Sequence, residues 1–264
     1  MRTPIKIAAL AAAAALMMSA CTAAVSAPQR PKCDNYKNCF DLATAADKRR
    51  DYDAAIVYYT LALPLAKPAN IVAAHNNRGL AFENKGDYDR AVADFDAALR
   101  LNPKNPILYN NRGNAFGDKG DLDRAVTDYT KAIRLNSLYV AAFLNRASVY
   151  NRKGDSDRAL ADYTKVIKLD PKFADAYNRR GLIYGGKGDY DRAIADYDKA
   201  VQLNPGAAMA YNNRGFAYYK KGDAQHALAD FDAALRLDPN GDAGRLAEKN
   251  RKIVLEKKTG APAK

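Results

Sequence analysis

Asn76-Asn77-Arg78-Gly79 returns down the chain as Asn110-Asn111-Arg112-Gly113, Asn178-Arg179-Arg180-Gly181 and Asn212-Asn213-Arg214-Gly215, with Asn145-Arg146-Ala147 between them. The last residue of each word stands at 79, 113, 147, 181 and 215, a constant step of 34. A fixed period of this length marks stacked copies of one supersecondary unit. With Val72 as position 1, the second copy places Tyr109, Gly113 and Phe116 at positions 4, 8 and 11, and Ala125, Tyr129 and Ala132 at positions 20, 24 and 27. The fourth copy repeats this with Tyr177, Gly181, Tyr184, Ala193, Tyr197 and Ala200. On a helix each trio spans about 60°, so every copy holds two helices with one apolar stripe apiece. Gly86, Gly120, Gly154, Gly188 and Gly222 suit the left-handed residue that ends a helix, and the Asp after each suits the N-cap of the next. Pro103, Pro171, Pro205 and Pro239 stop the second helices. The chain reads as all-α.

This pattern resembles the tetratricopeptide-repeat (TPR) family over roughly residues 38 to 241. The resemblance implies a right-handed superhelical α-solenoid of about six helix-turn-helix repeats, with the first helix of each on the concave side. Residues 72–241 form five repeats, and 38–71 read as a divergent first one, because Asp51 to Tyr59 aligns with Asp87 to Phe95. Residues 242–258 read as a polar capping helix and 259–264 as a disordered tail. The sequence departs from the family pattern at His75, in the bulky position 4, at Ala147 and Val166 in the third repeat, and by carrying Arg at position 7 throughout.

Position 6 faces the concave groove and holds Asn77, Asn111, Asn145, Arg179 and Asn213. The row resembles the asparagine ladders with which some members, the O-linked N-acetylglucosamine transferases among them, hold an extended peptide backbone. A carboxamide offers both donor and acceptor, so it matches a peptide unit whatever its side chain. The alternative is that Asn is simply tolerated on a solvated face. Arg179 interrupts the row as an anion contact, with Arg152 and Lys220 at position 13 as secondary groove cations. The carboxylate clamp of the family's co-chaperones is not matched, since position 2 offers no lysine.

Arg78, Arg112, Arg146, Arg180 and Arg214 at position 7 recur with Asp94, Asp128, Asp162, Asp196 and Asp230 at position 23, a regularity that points to structural pairs. The Asp-x-Asp words, such as Asp87-Tyr88-Asp89, follow each turn glycine and read as caps and first-turn anions, not a metal site. No nucleophile–base set or paired carboxylates stand apart from the repeat, so neither catalysis nor a metal or cofactor is expected.

Met1 to Lys6 with the apolar run Ile7 to Met18 reads as a signal peptide, residues 1–20. Met18-Ser19-Ala20-Cys21 resembles a lipobox with Cys21 as the lipidation site, although Met18 stands where Leu is usual; ordinary cleavage after Ala23 or Ala24 is the other reading. In the following linker, 21–37, Cys33 and Cys39 suit a disulfide in an exported chain, the other reading being two free thiols. Such a short loop gains about 2 to 2.5 kcal/mol from closure.

The net charge of +12 is uneven: residues 71–244 hold 26 Lys and Arg against 23 Asp and Glu, and residues 245–264 hold seven against two. A folded body so nearly balanced argues against nucleic acid as a partner. The expectation is an exported protein, periplasmic or anchored to the outer membrane as a lipoprotein, that binds a partner protein or peptide segment. It resembles the bacterial TPR lipoproteins that deliver clients to envelope machinery. The alternative is an envelope-attached spacer or self-assembling scaffold.

Overall fold

The computed structural model describes residues 33–259. The segment read as a signal peptide, residues 1–20, and Cys21 lie outside them. The chain runs through α1 (Tyr36–Lys48), α2 (Tyr52–Ala62), a short 3-10 turn (Leu63–Leu65), α3 (Pro68–Asn84), α4 (Tyr88–Leu101), α5 (Pro106–Lys119), α6 (Leu122–Leu135), α7 (Val140–Arg152), α8 (Ser156–Leu169), α9 (Ala174–Gly186), α10 (Tyr190–Leu203), α11 (Ala208–Lys220), α12 (Ala224–Leu237) and α13 (Asp242–Thr259). Consecutive helices pair as α1/α2 through α11/α12, and α13 packs on both α11 and α12. The first helices touch their counterparts in the next repeat, α3 to α5, α5 to α7 and α9 to α11, which puts them on the inner side of the stack. The result is an all-α solenoid of six helix pairs and a capping helix.

Local chemistry sets each boundary. Asp51, Asp87, Asp121, Asp155, Asp189 and Asp223 accept a backbone hydrogen bond from the residue three places on, starting every second helix. The hydrogen bond from the Arg124 amide holds the Asp121 carboxyl below its ordinary range. Glycine takes a positive φ of 78° to 92° at each interhelix turn from Gly86 onward, whereas the first turn puts Arg50 at φ 60°. The two residues added in the first repeat are taken up by the Leu63–Leu65 turn and by Pro68 at the start of α3.

Two boundaries differ from the sequence expectation. Asn35 caps α1 by accepting from the Asn38 amide, so the helix starts at Tyr36, inside the stretch read as linker. At the other end Thr259, read as tail, is the last residue of α13. Cys33 and Cys39 are bonded, tying the chain before α1 to its first turn.

Position 8 explains the closeness of each pair. A Cβ built on Gly113 would stand 2.7 Å from the Tyr129 ring, and one on Gly181 2.8 Å from Tyr197. The aromatic of the second helix therefore packs directly against the backbone of the first. In the third repeat Ala147 occupies this place, fully buried beside Tyr163.

Candidate functional site

Position 7 builds the frame. In every full repeat the arginine clamps its aspartate with two parallel bonds, for example Arg146 Nε and Nη2 to the Asp162 oxygens, both at 2.8 Å. The same fork joins Arg78 to Asp94, Arg112 to Asp128, Arg180 to Asp196 and Arg214 to Asp230. All five aspartates are buried. Their bonds hold the guanidinium of Arg146 and its counterparts Arg112, Arg180 and Arg214 above the ordinary range. The remaining Nη1 reaches back to the preceding repeat, onto Thr60, Asp96, Thr130, Thr164 or Asp198. Each arginine thus joins three helices. His75, the odd residue at position 4, adds a third contact to Asp94, its Nδ1 lying 2.8 Å from Oδ1.

A second set of links follows the turns. Lys85, Lys119, Lys153, Lys187 and Lys221 pair with Asp53, Asp89, Asp123, Asp157 and Asp191 of the repeat before. The second aspartate of each Asp-x-Asp word is therefore an inter-repeat partner as well as a first-turn anion. These pairs are exposed and individually weak.

The asparagines form a third row. Asn111 Nδ2 donates to Asn76 Oδ1 at 2.9 Å, Asn145 to Asn110 at 3.1 Å and Asn213 to Asn178 at 3.1 Å. Position 6 of one repeat thus stitches to position 5 of the repeat before it. Asn77 accepts from its neighbour Asn76 at 3.0 Å. Asn145 gives its second amide hydrogen to Asn114, so both its donors are engaged. The asparagines stand in a row, and much of the capacity assigned to a peptide backbone is satisfied within the protein.

One junction breaks the row on both sides at once: Leu144 replaces the acceptor and Arg179 the donor. Arg179 instead bonds Asp175 at 2.5 Å and stands beside the Tyr163 hydroxyl. The capping helix restores the row, since Asn250 donates to Asn212 at 2.9 Å and Arg251 bonds Asp232 at 2.6 Å. Lys249-Asn250-Arg251 is thus a sixth copy of the opening word, displaced by a longer loop. The Asn-Arg dipeptide was the signal for it, hidden because the step from Asn213 to Asn250 is 37.

Two pockets open on the groove. The central one is polar, lined by Glu83, Asn114, Asp118, Tyr129, Asn145, Ser148 and Arg152 among others. Glu83 Oε2 is buried there without a hydrogen-bond partner. Burial, then the nearby Asp118 charge, push its carboxyl up to about 7. The second, about 340 Å³, lies between α9, α11 and α13 and has largely apolar walls. Leu182, Phe216 and Leu246 line it at 48%, 40% and 40% exposure. Lys220 lies over the Phe216 ring at 5.3 Å from its centroid. Arg152 therefore lines the polar pocket, Lys220 lies over a wall residue of the apolar one, and Arg179 belongs to the broken junction. Among the described residues no His, Cys, Asp or Glu cluster suits a metal, and no helix is long and apolar enough to cross a membrane.

The tetratricopeptide-repeat family model matches residues 72–105, 106–137, 174–206 and 208–240, and a second TPR-repeat model matches 147–188. The chain belongs to the tetratricopeptide-repeat family. Solved TPR structures superpose on it: a MamA protein at 27% identity and TM-score 0.59, over 65% of this chain and 93% of that one. YrrB, described as a TPR protein with an unusual peptide-binding site, aligns at 24% identity and TM-score 0.59, over 74% and 97%. A TPR protein from Parabacteroides merdae aligns at 18% identity and TM-score 0.63, over 86% and 93%. No curated protein matches the sequence.

Proposed function

We propose that this TPR protein is a binding adaptor that holds an extended segment of a partner protein in its concave groove, and that it works in the bacterial cell envelope. The observation that carries the reading is the contrast along the groove at position 9. Leu80, Asn114, Ser148, Leu182 and Phe216 stand there in turn, while the arginine and aspartate of the frame stay constant. A scaffold needs the constant face; a changing row of side chains on the inner face is what would select a partner. Export, with Cys21 as a lipid anchor, is carried only by the leader of the sequence and belongs to this proposal.

The asparagine row contributes a little to binding through the lone pairs that its own bonds leave free, at about 0.5 to 1.5 kcal/mol per bond. Affinity then comes from the pockets. Substituting the asparagines would weaken the stack and the groove together, so a cleaner test uses side chains without inter-repeat bonds. A photo-crosslinking residue at Ser148 or Phe216 is expected to capture one partner in cells, while the same residue at Lys168 on a second helix captures none. Equal capture at all three sites would favour the rival reading, an envelope-attached spacer with no peptide ligand. Fractionation of a Cys21→Ser variant tests the anchor separately: release from the membrane is expected, and unchanged membrane attachment contradicts it.

A further inference from the structure

At the floor of the apolar pocket between α9, α11 and α13 lies a phenol with no hydrogen-bond partner among the described residues. Tyr197 is 3% exposed, and its hydroxyl makes no hydrogen bond among the described residues. Burial, then the nearby Asp196 charge, push this phenol up. Its equivalents are served. Tyr129 donates to Asn114 at 2.9 Å, Tyr163 lies against Arg179, and Phe95 and Phe231 carry no hydroxyl. At Tyr197 the place of Asn114 is taken by Leu182, so the partner has been removed while the hydroxyl remains.

Access comes from Gly185 and Gly186. A Cβ on Gly185 would stand 3.8 Å from the Tyr197 oxygen, and one on Gly186 would meet nothing within 4 Å. The hydroxyl therefore sits at the floor of an open, greasy cavity whose rim carries the amides of Asn213 and Asn250. Beyond the lining, Lys220 lies over Phe216 and Lys257 over Tyr219, whose ring centroid is 6.3 Å from that of Phe216, and neither lysine makes an ion pair among the described residues. The surroundings are positive, the walls apolar, and the floor asks for one oxygen.

We propose that this pocket takes a tyrosine side chain from an acidic, extended segment of a partner protein. The ring would pack on Leu182, Phe216 and Leu246, and its hydroxyl would meet that of Tyr197. The rim amides would hold the adjoining peptide units, and Lys220 and Lys257 the flanking carboxylates. This rests on the groove reading above and names the partner's chemistry.

The test is fluorescence polarisation of the purified protein with a labelled nonapeptide that has tyrosine at its centre, glutamate on either side and alanine elsewhere. Versions carry phenylalanine or alanine at the centre, or lysine in place of glutamate. The tyrosine peptide is expected to bind, phenylalanine to lose about three- to tenfold, the worth of one hydrogen bond, and alanine or lysine versions to lose more than tenfold. Gly186→Leu fills the cavity and, as a better helix former, should not lower the melting temperature; at least a tenfold loss of affinity is expected. Tyr197→Phe, already the residue at positions 95 and 231, should erase the preference for tyrosine over phenylalanine.

Unchanged affinity in Gly186→Leu overturns the proposal, as does failure of the tyrosine peptide to bind. If Gly186→Leu is silent while Ser148→Trp blocks the peptide, the groove reading stands and the pocket assignment falls. Sedimentation velocity on the same samples covers the remaining occupant: self-association abolished by Gly186→Leu would assign the pocket to a second copy instead.

Discussion

The inner and outer faces of the same first helices follow different rules. On one side position 7 is arginine in all five full repeats, always forked onto a buried aspartate and always reaching the preceding repeat. On the other, positions 9 and 13 change from repeat to repeat and position 6 once, at Arg179, and the groove passes from a polar pocket with an unpartnered carboxylate to an apolar one floored by the Tyr197 phenol. Uniformity here marks what assembles the stack. Variation marks where a ligand can be read.

If that division holds, the largest loss of stability should come from the constant face. Asp162→Ala leaves Arg146 half-buried without its carboxylate and is expected to cost about 3 to 5 kcal/mol, read by chemical denaturation. A loss under about 1 kcal/mol would demote the forks to ornaments of an already stable stack.

Next comes Glu83, whose raised carboxyl makes the variable face a stability cost at high pH. The unfolded chain releases this proton near 4.5 and the folded one near 7, so stability falls as pH rises between those values and levels off above. The fall is expected to be at most about 3 kcal/mol, and Glu83→Gln should flatten this part of the profile. A profile unchanged by that substitution would mean the carboxyl is better solvated than its buried Oε2 indicates.

Asn111→Ala removes one stitch to Asn76 and should cost about 1 kcal/mol, well below the aspartate. Equal losses would erase the distinction between the two rows. The smallest effect concerns the first turn, where Arg50 stands in the left-handed region that glycine fills in every later turn. Arg50→Gly should raise stability by about 1 kcal/mol, visible as a small rise in melting temperature.

Much of the fold was legible because its signals are local. The 34-residue step, the turn glycines and the aspartate caps each act within a few residues of where they appear, and the Arg–Asp pairing repeats at one spacing. What the sequence hid depends on neighbours in the next repeat. The asparagine row looks like a free ladder until the stack shows position 6 of one repeat bonded to position 5 of the one before. The cap looked merely basic, because the longer loop before Asn250 breaks the period that would have exposed it. The apolar pocket needs Leu182, Phe216 and Leu246 from three separate helices, together with Gly185 and Gly186 and a tyrosine whose expected partner is missing. No single segment carries that combination.

The account turns on whether partners enter the variable inner face. Photo-crosslinking from Phe216 in living cells, with Lys168 on a second helix as the control and the adduct identified by mass spectrometry, addresses it most directly. One discrete partner, cross-linked from Phe216 through an extended acidic segment and absent from the Lys168 sample, is the predicted result. The same adducts from both positions, or none from Phe216, would contradict it.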